Sequence, residues 1–212
     1  MAGGKFITLE GGEGAGKSTQ AALLASNLRR AGVDAITTRE PGGAPGAEKI
    51  RELLVEGDTA RWDAMTEALL HFAARREHLA KLILPALERG QWVISDRFAD
   101  STMAYQGYGH GLGREVIEGL YRLVVGGFAP DLTFILDVPP ALGLERTQER
   151  RTAEDRYERM DGAFHRRLRE GYLDIARREP ERCVVIEPHP TEEEVQTRIL
   201  AVVRERFNVT VP

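Results

Sequence analysis

The chain has 212 residues, 42% of them hydrophobic and 29% charged, with a formal net charge of −4. A chain of this size can bury about 70% of its unfolded surface without help from metals or disulfides, and it lacks the ~18 consecutive apolar residues of a helical membrane span. The negative balance also argues against a sequence-blind grip on nucleic acid as the main job, since that needs many uncompensated cations, and leaves room for local basic sites; neither a nucleic acid nor a membrane is expected as partner.

Short apolar runs alternate with longer amphipathic stretches, the pattern of parallel strands joined by helical crossovers. Strands are predicted over 6–10, 35–38, 92–96, 132–137 and 182–187, and helices over 17–31, 47–56, 62–89, 114–125, 141–150, 158–178 and 191–206. The last opens on a Thr191-x-x-Glu194 capping box. An α/β fold with a mainly parallel sheet follows, in one domain covering 1–212. The single cysteine, Cys183, sits in an apolar run and excludes an internal disulfide. No charged region followed by a long apolar stretch opens the chain, so a cytoplasmic location is expected and the Asn208-Val209-Thr210 sequon is read as accidental.

Between the first strand and first helix lies Gly11-Gly12-Glu13-Gly14-Ala15-Gly16-Lys17-Ser18, followed by Thr19. This is the Gly-x-x-x-x-Gly-Lys-Ser pattern in the strand-loop-helix setting that gives it meaning. Glycines let the backbone turn its N–H groups inward, and the helix that follows presents its positive end to the same anion. Lys17 is then expected between the β and γ phosphates of a nucleotide, with the Ser18 hydroxyl on Mg²⁺. Only four lysines (5, 17, 49 and 81) occur among 29 basic residues, which gives this one weight. Mg²⁺ takes one or two protein carboxylates, and Asp96 ends the third predicted strand beside Arg97. Asp137, at the end of the fourth, is the alternative, or a satisfied strand-end carboxylate.

Two segments break the regular pattern. The stretch 40–46, Glu-Pro-Gly-Gly-Ala-Pro-Gly, reads as a loop beside a site, and 146–169 carries eight arginines (146, 150, 151, 156, 159, 166, 167 and 169). A phosphate loop serves either a kinase or a nucleotide-hydrolysing switch or motor. A guanine-specific switch needs Asn-Lys-x-Asp, but the only asparagines, Asn27 and Asn208, are not followed by lysine. A kinase for a small acceptor is therefore favoured over a P-loop hydrolase.

Thr38-Arg39-Glu40-Pro41-Gly42-Gly43, Asp96-Arg97-Phe98-Ala99-Asp100-Ser101, Ala104-Tyr105-Gln106-Gly107 and Pro130-Asp131-Leu132 occur in order behind the phosphate loop. With these motifs the chain resembles the bacterial thymidylate kinases across nearly its whole length. The resemblance implies a P-loop nucleoside monophosphate kinase fold with sheet order 2-3-1-4-5, transfer of phosphate from ATP to dTMP, and a homodimer. The acceptor region would cover about 39–76 and a lid about 146–160.

Carried over residue by residue, the resemblance places Glu13 on the deoxyribose 3′-hydroxyl and Arg39, Arg51 and Arg97 around the acceptor phosphate, with Glu40 and Ser101 in the same motifs. Thr102 and Gln106 would read the thymine edge, with Tyr105 as a wall beside the sugar. Arg75 would bond the base, with an aromatic residue one turn earlier stacked on it. Here the sequence departs from the family, since His71 occupies that position and Phe72 follows it. A shifted register would pair Phe72 with Arg76. Gly14 stands where some relatives carry arginine, so Arg150, Arg151 or Arg156 of the lid is expected to reach the γ-phosphate, with Arg146 near the adenine.

Overall fold

A computed structural model describes residues 3–148, 155–188 and 191–210. Five parallel strands, β1 (Phe6–Glu10), β2 (Ala35–Arg39), β3 (Trp92–Asp96), β4 (Leu132–Leu136) and β5 (Cys183–Ile186), lie in the order β2-β3-β1-β4-β5. Both faces of the central strands are covered, so β1 and β4 are buried at every residue. The period of two survives beneath that uniform burial. Ile7, Leu9 and Phe134 face the layer of α1 (Lys17–Arg30) and α9 (Glu192–Phe207), whereas Phe6 and Ile135 face the opposite layer. The predicted capping box of α9 is formed, the Thr191 hydroxyl accepting from the Glu194 N–H at 3.2 Å.

The largest departures from the sequence expectation are three. The helix predicted over 62–89 is divided into α3 (Ala64–His78), a π-helical turn (Leu79–Ile83) and α4 (Leu84–Glu88). Pro85 offers no N–H to the preceding turn, and the wider turn accommodates its ring. The helix predicted from 158 starts at Gly162 as α8 (Gly162–Arg178), because Asp161 caps it by accepting from the Phe164 N–H at 2.6 Å. A third segment was not predicted as helical: α5 (Ala99–Thr102) runs into a second π-helical stretch, Met103–Gly109. Its glycines mimic a loop in sequence, yet a Cβ on Gly109 would collide with the Phe164 ring of α8.

The remaining crossovers are α2 (Pro45–Val55), α6 (Arg114–Val124) and α7 (Pro140–Gln148). Proline opens α2 two residues earlier than expected, at a position where its missing N–H costs nothing. Among the described residues no helix is long and apolar enough to cross a membrane. All five strands point their C-terminal ends to one side, and pairing brings Leu9 and Arg39 level with Asp96 there.

Candidate active site

At those strand ends a cavity of about 360 Å³ opens between the phosphate loop, the 39–41 segment, α3 and the 96–106 segment. The loop between β1 and α1 holds Gly11, Gly14 and Gly16 at φ of 138°, 65° and 87°. Helix α1 starts on Gly16 without a side-chain cap, so its first N–H groups remain available to an anion. Lys17, almost fully buried, donates to the Gly12 carbonyl at 2.7 Å. Burial and the nearby Arg97 cation pull its ammonium down to about 8. The carboxylates of Glu13, Asp96 and Glu10 offset this only in part, and a nucleotide phosphate would add further counter-charge.

The Ser18 hydroxyl donates to the Asp96 carboxylate, so the loop and the end of β3 bring two hard oxygen donors to one point. That donor set suits Mg²⁺, with phosphate and water oxygens completing its shell. Asp137 is engaged elsewhere, in a two-pronged pair with Arg169 at 2.6 and 2.8 Å.

Arg97 follows β3 with φ of 72°, a left-handed conformation rare for a residue with a side chain. Its N–H is fixed to the Leu9 carbonyl at 2.9 Å and its own carbonyl accepts from Ser95 Oγ at 2.7 Å. The guanidinium then reaches the Gly11 carbonyl at 2.9 Å and Glu13 at 3.0 Å, and lies over the Tyr105 ring at 5.0 Å. Tyr105 donates to the same Glu13 oxygen at 2.5 Å. Burial alone would raise the Glu13 pKa, but Arg97 and Lys17 outweigh it and keep the carboxyl below its ordinary range.

Behind Arg97 stands Glu10, a residue the sequence did not mark as functional. It is fully buried and accepts from the Phe98 N–H at 2.7 Å and Ser101 Oγ at 2.5 Å. Burial, with the neighbouring Asp100 charge, pushes its carboxyl up to about 7. Only the end of an apolar run followed by glycine marks it in the sequence.

The far wall belongs to α3 and the second π-helical stretch. Asp63 caps α3 by accepting from the N–H groups of Met65 and Thr66 at 3.0 and 3.1 Å. Twelve residues on, Arg75 is 2% exposed and donates to Glu40 at 2.8 Å, the Phe98 carbonyl at 2.9 Å and Thr102 at 3.0 Å. Glu40 is held in turn by His78, whose other ring nitrogen meets Thr38 Oγ1 at 2.7 Å. A Cβ on Gly43, at φ of 83°, would strike both His78 and Thr38, which accounts for glycine in that turn. Arg75 Nη1 is nevertheless buried without a partner among the described residues, and so is the Gln106 carbonyl Oε1. Both residues line the cavity.

His71 also lines the cavity and meets the Tyr157 hydroxyl at 2.9 Å. Burial, aided by Arg75 and Arg97, outweighs the Glu67 charge and lowers its pKa to about 4, so the ring is neutral at pH 7. Phe72 is core, 1% exposed, and Arg76 is exposed.

The cavity wall also includes Gly14, Ala15, Thr19, Arg39, Arg51 and Ser101, and Gly11 and Gly12 border a small void beside it. Arg39 pairs with Glu48 at 3.1 Å, and Arg51 donates to the Pro41 carbonyl at 2.7 Å. Arg146 is exposed on α7 and not among the cavity residues; Arg150 and Arg151 lie outside the described residues.

Arg156 departs from the expectation of a γ-phosphate contact. It is fully buried, pairs with Glu67 at 2.5 Å and donates to the carbonyls of Leu54, Asp58 and Thr59 at 3.0 to 3.1 Å. Its donors are consumed by the turn that follows α2. Others of the arginine-rich run act alike: Arg159 reaches the Gly57 carbonyl, and Arg167 the Gly109 carbonyl at 2.7 Å. Tyr157 and Glu158, which sequence reasoning did not single out, line the cavity between these clamps.

The family model described as thymidylate kinase matches residues 9–199. A thymidylate kinase of Caulobacter vibrioides is 54% identical over 209 residues, covering 99% of this chain and all of its own length. That of Dinoroseobacter shibae is 52% identical over 198 residues, 93% of this chain and 95% of its own. The crystal structure of thymidylate kinase from Ehrlichia chaffeensis superposes with a TM-score of 0.77 at 39% identity, over 95% of this chain and 99% of that one. By sequence along its length and by the fold just described, the chain belongs to the thymidylate kinase family.

Proposed function

We propose that this chain transfers the γ-phosphoryl group of ATP to dTMP, giving ADP and dTDP, in the cavity at the strand ends. An oxygen of the acceptor monophosphate attacks the γ-phosphorus, and the bond to the β,γ-bridging oxygen breaks. The acceptor's second pKa is near ~6, so its nucleophilic oxygen is largely unprotonated at pH 7 and no general base is required. Rate enhancement then rests on position and charge.

In this reading Gly11–Thr19 hold the donor phosphates, with Lys17 supplying the fixed cation. Ser18 and Asp96 would hold Mg²⁺, which when bound supplies charge neutralisation at the phosphates. Arg97, locked by Glu13 and the Gly11 carbonyl, stands between loop and acceptor. Arg39 and Arg51 border the acceptor phosphate, Glu13 accepts from the sugar hydroxyl, and Tyr105 walls the sugar. His71 is the ring placed to lie on the base. The further cation assigned to the lid falls to Arg150 or Arg151.

One observation carries the acceptor assignment: a buried donor, Arg75 Nη1, and a buried acceptor, Gln106 Oε1, both unpartnered among the described residues, belong to two residues that line one cavity. Their complement is a carbonyl beside an imide N–H, the edge thymine presents. A coupled assay of ADP release with ATP, Mg²⁺ and a panel of monophosphates tests this. Strong stimulation by dTMP is expected, and equal ADP release without acceptor would instead favour a hydrolase.

A homodimer is part of this reading, supported by apolar side chains left exposed on neighbouring helices: Leu53 on α2, with Met65 and Leu69 one turn apart on α3. Sedimentation of the full chain, alone and as Leu69→Arg, tests it. A cytoplasmic site of action accords with nucleotide substrates.

A further inference from the structure

Glu67 lies behind the cavity wall, 0% exposed on α3, and does not line the cavity itself. Three groups from two segments converge on it: Arg156 at 2.5 Å, and Gln106 Nε2 at 2.7 Å and His110 Nε2 at 3.3 Å from the second π-helical stretch and its C-cap. Burial would raise its pKa, but His110, His71, Arg156 and Gln106 outweigh that and hold it down at about 2. Glu67 is therefore an ionised carboxylate that only accepts hydrogen bonds.

That fact decides which way the Gln106 amide points. A carboxamide has a donor end and an acceptor end of nearly equal shape, and its network selects between them. Facing a carboxylate, the NH₂ must turn toward Glu67, which leaves the carbonyl Oε1, buried and unpartnered, as the group Gln106 can offer to a ligand. An acceptor there suits the N3–H of a thymine or uracil ring and opposes the bare N3 of cytosine. With the amide reversed the preference would invert.

We propose that Glu67 is a positioning residue for acceptor specificity: by fixing the orientation of the Gln106 carboxamide it selects imide bases over cytosine. The proposal rests on the reading that Gln106 faces the acceptor base. Glu67 acts only through Gln106, so its loss should weaken discrimination rather than transfer itself.

The test compares kcat/KM for dTMP and dCMP. Replacing Glu67 alone would leave Arg156 buried without its counter-charge, so the neutral pair Glu67→Gln/Arg156→Met is measured beside the single Glu67→Gln. A glutamine at 67 can accept from or donate to Gln106, freeing it to reverse. The dTMP/dCMP ratio is expected to fall about tenfold, with the loss falling on KM for dTMP and little change in its kcat. Any loss common to both acceptors cancels in the ratio. His110→Asn, which loosens the same carboxylate but leaves its charge facing Gln106, should keep the ratio.

Equal losses for both acceptors in the neutral-pair variant, or a ratio in His110→Asn that falls as far, would overturn the proposal. Gln106→Leu separates the two levels. If it collapses the ratio while the Glu67 variants do not, Glu67 has no such role and the reading of Gln106 stands. If Gln106→Leu leaves the ratio unchanged, Gln106 does not read the base and both fall.

Discussion

Gly14 of the phosphate loop and Gly143 of α7 meet backbone to backbone: a Cβ on Gly14 would collide with the Gly143 carbonyl, and one on Gly143 with the carbonyl of Glu13. The contact holds the loop against α7. It also shows why no side chain at position 14 can supply a cation here, since an arginine would need both φ of 65° and the space α7 occupies. Gly143→Ala should therefore push the loop out of shape. An overpacking cost of ~1–3 kcal/mol corresponds to roughly a five- to 150-fold rise in KM for ATP. Steady-state kinetics with ATP and dTMP varied separately should show a much smaller change in KM for dTMP.

Lys17→Ala and Asp96→Ala should each lower kcat by orders of magnitude while thermal unfolding and circular dichroism stay near wild type. In the proposed reaction both residues would serve charge at the reacting phosphates rather than the core, and losing one such group would cost on the order of 10²–10³ in rate. Turnover close to wild type in either variant would contradict their placement.

Nucleotide affinity should depend on pH through Lys17. Its ammonium loses its proton near pH 8 in the empty site, and a bound phosphate raises that value. Binding is then coupled to proton uptake, so affinity falls as pH rises past about 8. Calorimetry of ATP binding at pH 8, in buffers of different ionisation enthalpy, should report net uptake of up to about half a proton in wild type and less in Lys17→Met.

Glu10 and His71 should impose opposite slopes on stability. The folded carboxyl of Glu10 titrates at about 7 against an ordinary 4.5, so between those values the native state keeps a proton that the unfolded chain has released. Stability contributed by Glu10 thus falls as pH rises from 4.5 to 7. His71, at about 4 against 6.5, is the reverse: the unfolded chain binds the proton, and stability rises with pH across that range. The two contributions oppose each other where they overlap. Glu10→Gln removes one of them, so urea unfolding of that variant should show stability rising more steeply from pH 4.5 to 6.5 than in wild type, by on the order of 2 kcal/mol.

The buried pair of Arg156 and Glu67 predicts a stability effect rather than a local one. Arg156→Met strands an ionised carboxylate in the core and should cost about 3–5 kcal/mol in urea unfolding. Glu67→Gln/Arg156→Met, with no charge left behind, should recover a large part of that loss. A single variant as stable as wild type would mean that Arg156 is not held there in solution.

The phosphate loop and the five strands were legible from the chain because each is written locally; the sheet order came only through the family resemblance, and Ser18 and Asp96, 78 positions apart, were linked only by what Mg²⁺ would require. A glycine pattern, an apolar run or a capping box depends on neighbours in sequence. Asp96 was separable from Asp137 only weakly, by the arginine next to it; the structure separates them by partner, Ser18 for one and Arg169 for the other.

The clamps on the arginine-rich run were not legible. Arg156 and Arg159 have the same side-chain chemistry wherever they point, and what they hold is a set of backbone carbonyls around residue 57, about a hundred positions away. Nor could sequence distinguish His71 from Phe72 as the cavity-facing ring, because adjacent helical residues differ only by which side of α3 meets the core. Glu10 and Glu67 look like ordinary acids until burial and convergent donors define them.

The residues by themselves determined that a triphosphate tail could be gripped after the first strand and that the chain would wind into a parallel sheet, since both follow from backbone freedom and short-range apolar pattern. Tertiary packing alone decided which charges are spent on the fold and which remain for a ligand. A charge's role depends on the groups brought to it by distant segments, and those distances exist only after the chain has folded.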